Sequence, residues 1–503
     1  MSLSRARRLG KPASLFVCGA FIIPCRPALA YEARVSAQHD AQFYGVQSPF
    51  GSPEVLRRRH TSALGLELDD LAGLGARGPK LEFRARLRLD ADFGQLATER
   101  DPSSNRFVPG LEQAPLDLLY AYVAMEGLAA GALGLRVGRQ VLVDPLGFFS
   151  FDGGRLAIVL PLGLELGAYA GIEPRPGLPL LATARYLGDG VRRGGREQLE
   201  LDREPSYLDE SELSPAAGAW LTARALGPLS ASLAYRRVVN RSRVRLSPFA
   251  AFPGDEPRTF GDARISSERF GASARLDWPE VGSVSGLAQY DLYLRRFNEV
   301  SFDFDALPSR SLRAGVELRR SRPSFDADSI FNWFAQGETN SALIHVAYLP
   351  WPALDTQWSG GVRWFETEED AGLSGVRRNL GAQRDLTGSV SGRFRFDPSE
   401  LSLTVLGEVG DRGRLAGADL GLRSRFAGGQ YDSLVLLSLF DWSNPLRVER
   451  NATSFSYVLG AGLWNGAGLF SQSRLGLEWE HAFNRLVSQR FRVLATLQLG
   501  VFR

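Results

Sequence analysis

Residues 80–94 read KLEFRARLRLDADFG. Leu81, Phe83, Ala85, Leu87, Leu89, Ala91 and Phe93 alternate without a break with Glu82, Arg84, Arg86, Arg88, Asp90 and Asp92. A period of two is a β-strand, because successive side chains point to opposite faces. Here one face is wholly apolar and the other wholly charged. Strands of soluble sheets run about 5–6 residues. A tilted strand crossing an apolar band about 25 Å tall, with water behind it, needs roughly ten or more. The stretch therefore predicts a strand with lipid on one side and an aqueous lumen on the other.

The same design recurs along the chain. Strands are expected at 31–43, 59–70, 80–94, 116–127 and 131–140. The segment 155–172 reads as one long strand, turning at Glu173-Pro174-Arg175-Pro176-Gly177 into 179–187. Next come 214–225, 229–240, 266–278, 282–295, 310–320, 326–336 and 340–349. The last third supplies 356–366, 385–397, 400–410, 414–427, 430–442, 452–464, 470–482 and 490–502. Short turns such as Asp397-Pro398-Ser399-Glu400 and Ala427-Gly428-Gly429-Gln430 separate these strands. They are interleaved with polar loops near 44–58, 95–114, 141–153, 188–213, 241–265, 367–384 and 483–489, all on one side. Short periplasmic turns opposite longer extracellular loops are the design of bacterial barrels. The expected fold is all-β, a transmembrane antiparallel up-and-down β-barrel with an even number of strands. The count is 22, with 18 or 20 left open should 31–43 or 326–336 fail to pair. A propeller would show a repeat of about 40–50 residues, and none is present.

No linker or composition shift divides the 503 residues, so one barrel domain over 31–503 is expected. Ahead of it, Arg5, Arg7, Arg8 and Lys11, the apolar core ASLFVCGAFIIPC and Ala28-Leu29-Ala30 have the form of a cleaved secretory signal over 1–30. Both cysteines, Cys18 and Cys25, fall inside that segment. The remainder has no thiol for a disulfide, a metal or a nucleophile. The segment also holds five of the 59 basic residues, which leaves 54 against 56 acidic ones. Net charge therefore gives no argument for nucleic acid. The most apolar later run, LAIVLPLGLELGAYAGI at 156–172, keeps a period of two and carries Pro161, which argues against a helix.

Trp220, Trp278, Trp358, Trp364, Trp442 and Trp464 fall near expected strand ends, as interfacial girdles require. The last strand alternates Phe491, Val493, Ala495, Leu497, Leu499 and Val501 on one face. It resembles the terminal assembly signal of outer-membrane proteins, which implies recognition by the barrel-assembly machinery. It departs from that pattern in having Phe502 penultimate and Arg503 last.

The charged faces are the first candidate for function. Arg84, Arg86 and Arg88, Arg393 and Arg395, and Arg423 and Arg425 place guanidinium groups on the polar side of their strands. In a lumen they would attract anions. Alternatively they pair with Glu82, Asp90, Asp92, Glu408 and Asp419 and brace the wall. The second candidate is LRVGRQVLVDPLGFFSFDGGRL at 135–156, with Gly138-Arg139-Gln140 and Phe151-Asp152-Gly153. It resembles the alginate-export and related substrate-specific outer-membrane porin families. The resemblance implies a diffusion channel in which loops entering the lumen narrow the pore and arginines contact anionic substrate. The apolar middle, Pro145-Leu146-Gly147-Phe148-Phe149, suits a segment folded into the lumen. It would hold Asp144, Asp152, Arg139 and Arg155 around the narrowest point.

A lipase or deacylase barrel is the competing class, since His60-Thr61-Ser62 has an H-x-S spacing that puts both groups on one face. A non-conducting surface or adhesion barrel is another. A plugged active transporter would need a long domain before its first strand. The acidic clusters Glu366, Glu368, Glu369, Asp370 and Asp209, Glu210, Glu212 suit solvated loops at the lipopolysaccharide layer. No metal or cofactor motif is present. The expectation is a passive, non-enzymatic channel in the outer membrane of a Gram-negative bacterium. Its cargo would be hydrophilic solutes or saccharides, anionic ones among them.

Overall fold

Alternation along the chain becomes closure in space. The computed structural model describes residues 32–47, 53–71, 78–92, 116–174, 214–240, 259–260, 263–322, 338–370, 377–444, 449–466, 473–484 and 489–502. The segment 1–30 and the expected strands 179–187 and 326–336 lie outside them.

The strands are β1 (Glu32–Gln47), β2 (Pro53–Asp69), β3 (Lys80–Asp92), β4 (Leu116–Leu128), β5 (Leu133–Asp144), β6 (Gly147–Leu160), β7 (Leu164–Ile172) and β8 (Pro215–Leu226). They continue as β9 (Leu229–Asn240), β10 (Thr259–Phe260), β11 (Ala263–Trp278), β12 (Gly282–Asp291), β13 (Arg296–Ser309), β14 (Leu312–Ser321), β15 (Thr339–Trp351) and β16 (Leu354–Asp370). The rest are β17 (Arg377–Phe396), β18 (Ser399–Gly410), β19 (Gly413–Phe426), β20 (Tyr431–Asn444), β21 (Glu449–Asn465), β22 (Arg474–Asn484) and β23 (Gln489–Phe502). Each wall strand pairs antiparallel with its sequence neighbours. The two-residue β10 pairs only with β11, while β9 passes directly to β11. That leaves 22 strands in the wall among the described residues. β23 then pairs with β1 from Arg34 opposite Phe502 to Gln47 opposite Gln489, and the cylinder is closed. Closure matters because an unpaired edge in hydrocarbon would leave backbone donors and acceptors unsatisfied at several kcal/mol each, roughly.

The outer face exposes Leu64, Leu87, Leu89, Leu386, Val390, Leu401, Leu403 and Val405, among many others. In water such a belt would be a large unburied apolar surface. Against lipid tails it carries no such penalty. The alternate positions carry ion pairs, for example Arg363 with Glu408 at 3.1 Å and Arg492 with Glu478 at 2.9 Å. One rim carries tight turns at Pro161–Gly163 and Ala427–Gly429, and the described chain starts and ends on it. We call it the turn side, the periplasmic side in barrels of this design.

Several expectations are corrected. The stretch 155–172 is two strands broken at Pro161-Leu162-Gly163, where Leu162 takes φ 66°. Residues 296–309, between the expected strands 282–295 and 310–320, form β13. β7 pairs directly with β8 and β14 with β15, so no wall strand separates them. The loop expected at 141–153 is strand on both sides of a tight turn. Strand also extends into the expected loops at 44–58, 241–265, 367–384 and 483–489. Trp278, Trp358 and Trp464 are exposed as girdle residues would be, but Trp220 is buried inside the cylinder. Trp442 takes the parity opposite to the exposed Leu437 and Leu439.

Candidate functional site

The site grows from a change in pairing. β5 pairs with β4 only as far as Arg139 opposite Ala121, and β6 pairs with β7 only from Asp152 onward. The two strands nevertheless stay paired with each other out to Asp144 opposite Gly147. Beyond Arg139 and Asp152, then, a two-stranded arm leaves the wall. Gly138 and Gly153 face each other at the departure point, with Gly171 of β7 opposite Gly153. Gly138 has φ +127°, and a Cβ there would run into the backbone of Ala121 and Tyr122. Only glycine meets both demands.

The arm folds inward over the lumen face of β7, β8 and β9. Leu142, Phe149 and Phe151 pack with Tyr169, Ala216, Trp220 and Val238 in one buried cluster. Phe151 is 0% exposed, with its ring centroid 4.8 Å from that of Tyr169. At the tip, Pro145 and Leu146 sit over Gly271 of β11, where any side chain would collide with them. Asp144 caps the turn, accepting from Leu146 N–H at 2.8 Å. It also accepts from Arg236 of β9, whose terminal nitrogen lies 3.0 Å from each carboxylate oxygen. Arg236 lies 4.2 Å from the Phe149 ring centroid, and its Nε–H donates to the Tyr169 hydroxyl at 3.3 Å. At the base, Arg139 makes two 2.6 Å bonds to Asp152 and a third, of 3.0 Å, to the Leu118 carbonyl. The apolar segment thus lies inside the barrel, as a hairpin braced at both ends.

The four charges expected around one narrowest point are instead separated. Arg139 and Asp152 neutralise each other where the arm leaves the wall. Asp144 is taken up by Arg236 at the tip. Arg155 remains on the wall, over the Trp220 ring at 4.3 Å and 3.5 Å from Glu165. Glu165 also pairs with Arg224 at 3.1 Å and accepts from the Trp220 indole at 3.1 Å. One strand over, Arg136 lies 4.7 Å above Tyr122 and 3.3 Å from Glu126. Arg236, Arg136, Trp220, Tyr169 and Glu165 were not foreseen. No local spacing signals them, since strand register alone brings Arg236, Tyr169 and Trp220 to the arm and sets Arg136 and Glu165 beside Arg155.

The arginine ladders are partly braced. Arg84 lies 3.3 Å from Asp69 and 3.4 Å from Glu82, while Arg86 donates to Gln38 at 3.3 Å and Arg88 shares their face. Arg393 and Arg395 share the single Glu400, at 3.6 and 3.7 Å. Glu400 also stands opposite Arg423, and Arg425 stands opposite Asp432. These four arginines ring the turn-side end of β17 to β19. Of the H-x-S pair, Ser62 bonds His39 Nδ1 across the strand pair at 2.8 Å. Both take the lipid-facing parity of Val35 and Leu64. Among the described residues, no group of three or more His, Cys, Asp or Glu could hold a metal ion.

No family model matches the chain, and no curated protein does. Among solved structures, the outer membrane protein opdK from Pseudomonas aeruginosa is similar at TM-score 0.42 and 9% identity, covering 94% of this chain and 99% of that one. OccK9 (OpdG) from Pseudomonas aeruginosa gives TM-score 0.43 and 12% identity over 94% and 99% of the two chains. OccAB1 from Acinetobacter baumannii gives TM-score 0.43 and 9% identity over 94% and 96%.

Proposed function

We propose that this barrel is a passive, non-catalytic diffusion channel of the outer membrane, narrowed by the arm of residues 140–151. The observation that carries this reading is the arm itself. A closed polar-lined cylinder of this circumference has an interior too wide to be filled by wall side chains. Here an apolar hairpin is folded across part of it and fastened to β9 and β11.

The lumen wall from β3 to β6 presents Arg84, Arg86, Arg88, Arg136 and Arg155, with Tyr122 and Trp220 beneath two of them. Guanidinium groups stacked on aromatic faces stay charged and keep their planes fixed. This favours hydrophilic anionic solutes. The likeness of 135–156 to alginate-export proteins supports acidic saccharides as one class. Outer-membrane lipid, lipopolysaccharide and the barrel-assembly machinery are the partners that such a chain would meet.

Proteoliposome swelling with solutes of graded size and charge tests the reading. Small sugars and carboxylates should enter, anions faster than cations of equal size. Vesicles that swell no faster than protein-free controls would refute it.

A further inference from the structure

The described chain has histidines at 39, 60, 345 and 481, and three of them take the lipid-facing parity. His39 and His60 alternate in register with exposed Val35 and Leu64, and His481 lies between exposed Trp479 and Phe483. His345 of β15 is the exception, because its neighbour Ile344 is the exposed one.

The His345 imidazole lies over Gly315 of β14, directly opposite in register, where a side chain would collide with the ring. Its Nε2 is 2.8 Å from Asp305 Oδ1 on β13. Asp305 also accepts from Arg313 of β14, at 3.0 Å from Nε and 2.6 Å from the terminal nitrogen. The imidazole is 37% exposed, so lumen water reaches it. The other groups on this face are Glu317, diagonal on β14, Asp303 of β13, which stands opposite Glu317, and uncharged Ser359, Gln357 and Gly361 on β16.

Asp305 and Arg313 cancel, so the trio is neutral while the imidazole is neutral and carries +1 once it is protonated. Between pH 5 and 8 an ordinary imidazole changes charge, while guanidinium groups and ordinary carboxylates do not. We propose that His345, with Asp305 and Arg313, is a proton-operated selectivity site in the turn-side half of the lumen. It makes the channel more anion-preferring as the pH falls below neutral. This rests on the channel reading above.

The test is the reversal potential of the full-length protein in planar bilayers under a KCl gradient, from pH 8 to pH 5. The wild type should move toward anion preference as the pH falls across this range. H345Q should stay at the wild-type pH 8 value throughout, and H345R should hold the acid value throughout. A heat-modifiable band on unboiled gels verifies each barrel. A step that survives in H345Q overturns the inference, as does a conducting wild type with pH-independent selectivity. A protein silent at every pH overturns the channel reading together with it.

Discussion

Replacing Phe149 and Phe151 together with Ala should release the arm without opening the barrel. Phe151 is 0% and Phe149 4% exposed, and their rings stack with centroids 5.9 Å apart. Truncating a buried Phe to Ala costs about 3–5 kcal/mol. The two rings touch, so the double change falls short of the sum. Even about 3 kcal/mol shifts the seated-to-released ratio more than a hundredfold, at 1.4 kcal/mol per tenfold. The loss falls on the arm alone, because β5 joins β4 only up to Arg139 and β6 joins β7 only from Asp152. What remains is Leu142, the Pro145-Leu146 contact with Gly271 and the Asp144–Arg236 pair, a smaller apolar seat and an ion pair that is a weak anchor by itself. The assay is single-channel current in planar bilayers. Conductance should rise and the open level should become noisier, with heat-modifiability unchanged. Phe148→Ala, at a side chain pointing away from the cluster and 66% exposed, is the control and should behave as wild type. If the double variant is folded and conducts as wild type does, the arm does not bound the conducting path.

The remaining predictions concern charge and closure. Arg84, Arg86 and Arg88 changed together to Gln should move the reversal potential toward cations, and an unchanged value would mean that the ladder only braces the wall. R155Q should shift selectivity with the barrel intact, because its guanidinium lies on the lumen wall over Trp220. R139Q should instead loosen the base of the arm and add current noise, because Arg139 is engaged by Asp152 and the Leu118 carbonyl. R236M removes the ion-pair partner of the half-buried Asp144 together with the guanidinium contacts to Phe149 and Tyr169, and should reproduce the released-arm currents. Removing residues 490–503 deletes β23, leaving β1 and β22 as edges in lipid. The heat-modifiable band should then disappear from the outer membrane.

The wall was legible because each strand in lipid must satisfy the same two-sided rule, and KLEFRARLRLDAD states it in one line. The turn at 161–163 was hidden for a specific reason. Leu156, Ile158 and Leu160 before it and Leu164, Leu166 and Ala168 after it all occupy even positions, so the three-residue break leaves the period in phase. β13 was missed because its outward face is only Val300, Phe302 and Phe304 among Asp, Ser and Glu, a composition that also suits a loop. The expected count of 22 agrees with the wall through offsetting differences. Two strands went unforeseen, and two expected ones, 179–187 and 326–336, lie outside the described residues between strands that pair directly. For the site, the apolar run 145–149 gave the arm away, although of its two phenylalanines only Phe149 is buried, with Leu146, while Phe148 stays exposed. The arm's seat could not be read locally. Arg236 meets Asp144 only because the arm leans past β7 and β8, and that geometry depends on Gly138 and Gly171, residues with no side chain to advertise it.

Whether a water-filled path crosses this barrel beside the arm is decided by single-channel recording of the purified wild-type protein in planar bilayers across a series of KCl concentrations. The protein should give discrete, ohmic steps whose size grows with salt and whose reversal potential under a gradient favours chloride over potassium. Folded, heat-modifiable protein that inserts and yet gives no steps at any salt concentration would contradict such a path.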